Sequence, residues 1–151
     1  LQEILHSSGG EGRRIIDFSR IIKENIRKRL DLKNIALSYQ MEHPERINDL
    51  SREKRFEIEK ILQELTSNVL KHSGADQVNL SLHVDDSEVE LVFSDNGKGG
   101  VEDKMDSKGF GLGNIKNRIL HLGGAFGIHS PAGEGTVISI TIPVPKKGDG
   151  Q

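Results

Sequence analysis

The apolar positions of this chain follow two periods, one helical and one alternating, in a definite order. From about Arg13 to Leu30, Ile15, Ile22, Ile26 and Leu30 recur near helical spacing with basic residues between them, which predicts an amphipathic helix. A longer helix is expected from Ser51 to His72, where Ile58, Ile61, Leu62, Leu65 and Val69 share one face. Between them, Asn34 to Glu42 predicts a strand closed by His43-Pro44, because a residue before proline avoids the helical region. Strict alternation in Val78-Leu80-Leu82-Val84 and Val89-Leu91-Phe93, joined by Asp85-Asp86-Ser87, predicts a β-hairpin. A glycine-rich loop follows, then a helix on Ile115, Ile119 and Leu122 ended by Gly123-Gly124. Strands near Ala125 to His129 and Val137 to Ile142, joined across Pro131 to Gly135, close the pattern. The order helix, strand, helix, hairpin, glycine loop, helix, hairpin predicts an α/β two-layer sandwich, a mixed β-sheet with helices gathered on one face. Residues 1–12 read as a flexible lead-in, 13–145 as one domain and 146–151 as a tail.

Composition narrows the function classes. A length of 151 residues suits one domain with a real core. A net charge of −2 gives no electrostatic footprint for nucleic acid. Cysteine is absent, which excludes disulfides and thiolate metal sites. No apolar run approaches the roughly 18 residues of a membrane span. The chain begins at Leu1 without methionine, so it is expected to be a fragment of a larger protein. Many of its 17 glycines cluster between Gly97 and Gly135, too patterned for a linker.

Three segments carry candidate chemistry. In the second helix, at about 100° per residue, Glu64, Asn68 and Lys71 fall within about 60° of one another beside the apolar stripe. A carboxylate, an amide and an ammonium on one line suit hydrated Mg2+ and a polyphosphate; a solvated helix face with a local ion pair would read the same. Asp95-Asn96-Gly97-Lys98-Gly99 ends a strand with a carboxylate that can accept from an exocyclic amine, followed by glycines that let backbone approach a flat ring. A plain Asn-Gly turn is the alternative there. Gly109, Gly111 and Gly113, followed by Asn114 and a helix, leave free N–H groups at a positive helix end, as a phosphate site needs. No Gly-Lys-Ser/Thr occurs, so this is not a Walker loop, and a loop precedes it where a dinucleotide fingerprint would have a strand. Gly133-Glu134-Gly135-Thr136 reads by itself as a hairpin turn.

In this order, Glu64-x-x-x-Asn68-x-x-Lys71-His72, Asp95-x-Gly97-x-Gly99, Gly109-x-Gly111-Leu112-Gly113 and Gly135-Thr136 before a terminal strand resemble the Bergerat-fold ATPases, the GHKL superfamily of gyrase, Hsp90, histidine kinases and MutL. Glu64 to Ala75 and Gly111 to Gly124 look like the NarL-associated, DesK-like sensor histidine kinases. The resemblance implies a Bergerat ATP-binding fold with a short lid over residues 101–110 and ATP and Mg2+ as cofactors. Asn68 would ligate Mg2+, Glu64 would hold a metal-bound water or act as base, and Lys71 would reach the phosphates. His72 would lie against the nucleotide, Asp95 would accept the adenine amine, and Gly97 and Gly99 would admit the ring. Gly109, Gly111 and Gly113, with the amides of Leu112 and Asn114, would close on the phosphates; Thr136 would support Asp95 or a water near the adenine.

The implied activity is γ-phosphoryl transfer from ATP to a histidine on the parent's own dimerisation domain, absent from this chain. A response regulator would be the downstream partner. The parent is expected to be a homodimer, with this domain cytoplasmic and touching neither membrane nor nucleic acid; a membrane anchor elsewhere in the parent stays open. His6 lacks the acidic neighbour of an acceptor motif, and His43, His83, His121 and His129 have no metal-ligand spacing. Two other readings stay open: an anti-sigma-factor serine kinase of the same superfamily, and a non-catalytic pseudo-kinase interaction module.

Overall fold

The computed structural model describes residues 17–102 and 111–144. The lead-in with His6, the start of the first predicted helix, Gly109, most of the expected lid and the tail lie outside the described residues.

Helix α1 runs Phe18–Asp31, and the Asp17 carboxylate caps it by accepting from the Arg20 N–H. Its buried stripe is Phe18, Ile22, Ile26 and Leu30, with Lys28 and Arg29 in the last turn, where cations complement the helix dipole. Strand β1 spans Ala36–Glu42. It starts later than the alternation suggested because Asn34 takes a left-handed backbone (φ 57°), which no strand residue adopts. A short 3-10 turn, Pro44–Asp49, was not foreseen; it buries Ile47 completely. Helix α2 covers Arg52–Asn68, with the Ser51 hydroxyl accepting from the Lys54 N–H at 3.1 Å. Its last expected turn, Val69–Ser73, is wider: a π turn, ended by Gly74 at φ 68°.

The hairpin is β2 (Gln77–Val84) and β3 (Glu88–Asp95); α3 (Leu112–His121), β4 (Ala125–His129) and β5 (Thr136–Pro143) follow. The sheet order is β1-β2-β3-β5-β4. β1 and β2 pair in parallel and all other neighbours antiparallel, so the sheet is mixed. A parallel pair cannot be joined by a tight turn, and α2 supplies the crossover. Inward residues of the central strands, Leu80, Leu82, Leu91, Phe93, Ile138 and Ile140, pack against Ile58, Ile61, Leu62, Leu65, Ile115 and Ile119 of the helices. Their outward neighbours, such as Asn79, Glu90 and Ser139, are exposed. The predicted two-layer arrangement with helices on one face is the one observed. Arg118 of α3 and Glu57 of α2 close the helix layer with a 2.8 Å ion pair.

Tyr39, the chain's single tyrosine, lies on the covered side of β1 and its hydroxyl donates to the Ser19 carbonyl at 3.3 Å. Burial first, and the Asp17 charge second, push its phenol up to about 12. The native state therefore keeps a proton that the unfolded chain releases near 10, so stability should fall as pH rises from about 10 to about 12. Ultraviolet titration of the folded protein should place the phenolate midpoint near 12. A midpoint at the ordinary tyrosine value would show the ring open to water.

Candidate functional site

A cleft opens between α2 with its π turn, the end of β3, the β5 start and the first turn of α3. Leu65, Val69, Phe93, Val101, Leu112 and Ile138 form its apolar walls, and Asn68, His72, Ser73, Asp95, Lys98 and Thr136 supply polar groups. A mostly apolar concavity with a few convergent polar groups suits a small ligand with a flat ring.

The π turn decides which helix residues reach this cleft. Its wider winding is held by Ser73, whose hydroxyl donates to the Val69 carbonyl at 3.2 Å and accepts from the Ala75 N–H at 3.0 Å. From the turn after α1, Lys33 donates to the Leu70 carbonyl at 2.8 Å. The regular-helix geometry that aligned Glu64, Asn68 and Lys71 therefore ends at Asn68. Lys71 is exposed and absent from the cleft lining, whereas His72 and Ser73 stand on its wall. Glu64 is exposed as well; its carboxylate stands against Gly111, where an added Cβ would meet Glu64 Oε1 at 2.7 Å. Asn68 is different. Its Nδ2 is the one buried side-chain polar atom among the described residues without a hydrogen-bond partner. Such an atom costs stability and calls for a functional reason.

At the other end, Asp95 is the last residue of β3 and faces Thr136 across the β3–β5 ladder. Asp95 Oδ1 accepts from the Gly97 N–H at 2.7 Å. Burial raises the carboxyl above its ordinary range, partly opposed by that bond. Asn96 makes no hairpin turn: its side-chain oxygen accepts from the Asp76 and Gln77 N–H groups, each at 3.0 Å, and its amide donates to the Asp76 carboxylate at 2.8 Å. Asn96 thus clamps the Asp95 loop to the start of β2.

The glycines serve packing as much as ligand access. A Cβ on Gly97 would lie 2.3 Å from the Ser73 carbonyl oxygen, so its absence lets the loop rest on the π turn, where the Lys98 N–H donates to that same carbonyl at 2.9 Å. Gly97 does not line the cleft, and this packing reason stands beside the expectation that it admits the ring. Gly99 does line it, at φ +63°, with room for a Cβ taken by the Pro131 carbonyl at 2.2 Å. We expect Gly97→Ala to destabilise the domain by about 1–3 kcal/mol through this overpacking. Urea unfolding would read it as a lower midpoint with unchanged slope; an unchanged midpoint would mean the loop can step off the π turn freely.

Gly111 opens α3 in the left-handed region (φ 66°), and Leu112 stands on the cleft wall. Gly113 and Asn114 lie in the first turn beside it, where helix N–H groups lack intrahelical partners. Thr136 lines the cleft, and its hydroxyl pairs with that of Ser130 at 2.7 Å. Ser73, Lys98 and Ser130 were missed from sequence. Lys98 sits inside a motif already singled out and could have been found; the two serines carry no local signal.

An open mixed sheet covered on one side by helices, with a cleft running from a strand-end carboxylate to a glycine-led helix start, defines a nucleotide-binding domain. Residues 53–146 match the histidine kinase-, DNA gyrase B- and HSP90-like ATPases, and the chain belongs to that family. It is 35% identical over 94 residues to the sensor histidine kinase LiaS of Bacillus subtilis (strain 168), covering 61% of this chain and 26% of LiaS. It is 30% identical over 123 residues to the sensor protein VraS of a Staphylococcus epidermidis strain, covering 82% of this chain and 33% of VraS. The chain thus spans no more than about a third of these relatives. Among solved structures, a blue-light activated histidine kinase of Erythrobacter litoralis EL346 aligns with TM-score 0.65 at 20% identity, over 86% of this chain and 42% of that one. The catalytic domain of the histidine kinase ThkA aligns with TM-score 0.64 at 17% identity, over 84% of this chain and 90% of that one. The fold is that of histidine kinase catalytic domains.

Proposed function

We infer that the cleft binds Mg2+-ATP and that the domain presents the γ-phosphoryl group to a histidine on a separate dimerisation domain of a sensor histidine kinase, from which a response regulator receives it. One observation carries this reading: a single cleft joins Asp95, a half-buried carboxylate suited to an amine, to Asn68, a buried amide with an unpartnered nitrogen. Amide oxygen and nitrogen exchange by a flip, so Asn68 can turn its oxygen to a hard cation, which takes oxygen ligands. When bound there, Mg2+ would offset charge on the phosphates.

The chain's own residues do the rest. Asp95 accepts the adenine amine while its other oxygen stays on the Gly97 N–H. Glu64, one turn before Asn68, would hold a water on the cation or take a proton. Lys71, outside the cleft, reaches toward the phosphates from the rim, and His72 lies along the nucleotide. Gly111, Gly113 and the N–H groups of Leu112 and Asn114 receive phosphate oxygens at the positive end of α3. The subgroup reading, NarL-associated and cytoplasmic in a membrane-anchored homodimeric parent, belongs to the same proposal; no helix among the described residues is long and apolar enough to cross a membrane.

The test is thermal stability of the 151-residue chain with Mg2+-ATP against Mg2+-GTP. A ligand at about 100 times its dissociation constant stabilises by roughly 2.7 kcal/mol, a shift of several degrees. A shift with ATP alone supports the reading; none with millimolar ATP overturns it. The isolated chain should bind ATP without labelling itself, and a phosphohistidine mapped on it would remove the separate acceptor.

A further inference from the structure

Thr136 stands on the cleft wall, and its hydroxyl is coupled to that of Ser130, a residue that does not line the cleft. Ser130 is only 2% exposed, and its Oγ lies 2.7 Å from Thr136 Oγ1. The Val101 N–H donates to Ser130 Oγ at 3.1 Å, and the Gly135 carbonyl oxygen lies 3.4 Å from it. A hydroxyl carries one proton and two acceptor lone pairs. Val101 occupies one lone pair of Ser130. If Ser130 gave its proton to Thr136, Gly135 would lose that donor, and the Thr136 proton would still need an acceptor. If Thr136 donates to Ser130 and Ser130 donates to Gly135, both protons and both Ser130 lone pairs are used, as buried groups require.

We propose that Ser130 is a positioning residue that sets the polarity of the Thr136 hydroxyl, so that Thr136 turns only lone pairs to the cleft and helps select a base bearing an exocyclic amine. Asp95, directly across the ladder from Thr136, is likewise an acceptor when ionised. Two neighbouring acceptors complement an amine, which has two protons to give, and oppose a carbonyl at the same ring position. The inference rests on an adenine nucleotide occupying the cleft, as proposed above.

The main-chain bonds of Ser130 are independent of its hydroxyl: its carbonyl accepts from the Gly100 N–H at 2.7 Å, and its N–H donates to the Glu102 carboxylate at 3.3 Å. Ser130→Ala should therefore keep the turn in place while freeing the Thr136 proton to rotate toward the cleft.

The experiment measures Mg2+-ATP and Mg2+-inosine triphosphate affinity on the 151-residue chain and its variants, since the inosine base carries a carbonyl where adenine has the amine. In Ser130→Ala the preference for ATP should fall about fivefold or more, the worth of one hydrogen bond. Ser130→Thr, which keeps the hydroxyl, should hold the parent ratio. An unchanged ratio in Ser130→Ala, including equal loss of both nucleotides, would overturn the proposal. Thr136→Val removes the group through which Ser130 acts and should lower the ratio too; an unmoved ratio there overturns the proposal even if Ser130→Ala does not fold. A parent chain that binds neither nucleotide would instead bring down the ATP reading, and this proposal with it.

Discussion

Asp95→Asn is expected to weaken ATP binding at least tenfold while leaving the nucleotide-free domain, at neutral pH, as stable as the parent chain or more so. On the proposed reading the carboxylate has two tasks. One oxygen accepts from the Gly97 N–H at 2.7 Å, and the other is available to an amine in the cleft. An asparagine keeps the first with its single oxygen and must then turn its own NH2 toward the adenine amine, donor against donor. Losing a hydrogen bond to a charged group costs about 1.5–3 kcal/mol, which is tenfold or more in affinity.

The stability half of the prediction follows from burial. Asp95 has a raised folded-state value, so the native state binds its proton more tightly than the unfolded chain does. Its contribution to stability is greatest below the ordinary aspartate value and is lost as pH rises through the folded value. At neutral pH the ionised carboxylate is a cost that the amide does not carry. Calorimetric ATP titration and urea unfolding of both chains check the two halves. Unchanged affinity would remove Asp95 from the adenine site, and a large loss of stability would make it a structural residue.

The second large effect is expected at Asn68. Asn68→Leu should abolish the Mg2+-dependent part of ATP binding, a loss of tenfold or more, because no oxygen remains to ligate the cation. The same change replaces an amide whose buried nitrogen has no partner with an apolar group of similar size beside Leu65 and Val69. Leaving a buried donor unsatisfied costs about 1–3 kcal/mol, so the nucleotide-free variant should be equally stable or more stable by up to that amount. ATP affinity measured with and without Mg2+ reads the first half, and urea midpoints the second. If the variant kept the parent's Mg2+ dependence, the cation would have to be held elsewhere.

Both predictions assign residues to the ligand at the expense of the empty fold, and both residues were visible in the sequence as types at positions. Asn68 and Asp95 stood out because an amide on one helical line with Glu64 and a carboxylate at a strand end before glycines suit Mg2+ and an amine, and because the motifs occur together in order. The alternation of β2, β3 and β5 was equally legible, because each strand buries one face and a period of two records that directly. Lys71 was misjudged in its surroundings because helical spacing was carried past Asn68, and the π turn that breaks it depends on partners far along the chain: Lys33 on Leu70 and Lys98 on Ser73. Gly97 was visible as a glycine but not for its reason, since the Ser73 carbonyl that a Cβ would strike lies on another element.

By itself, then, the amino-acid order determined the three α-helices and five strands of the described residues, the helix-covered mixed sheet and the identity of most polar groups at the cleft, because those depend on local periodicity and on residue chemistry. The tertiary structure alone decided which helix residues enter the cleft, what each glycine makes room for, and how Ser130 stands against Thr136. These are contacts between segments distant in sequence, and no local pattern records a distance across the fold.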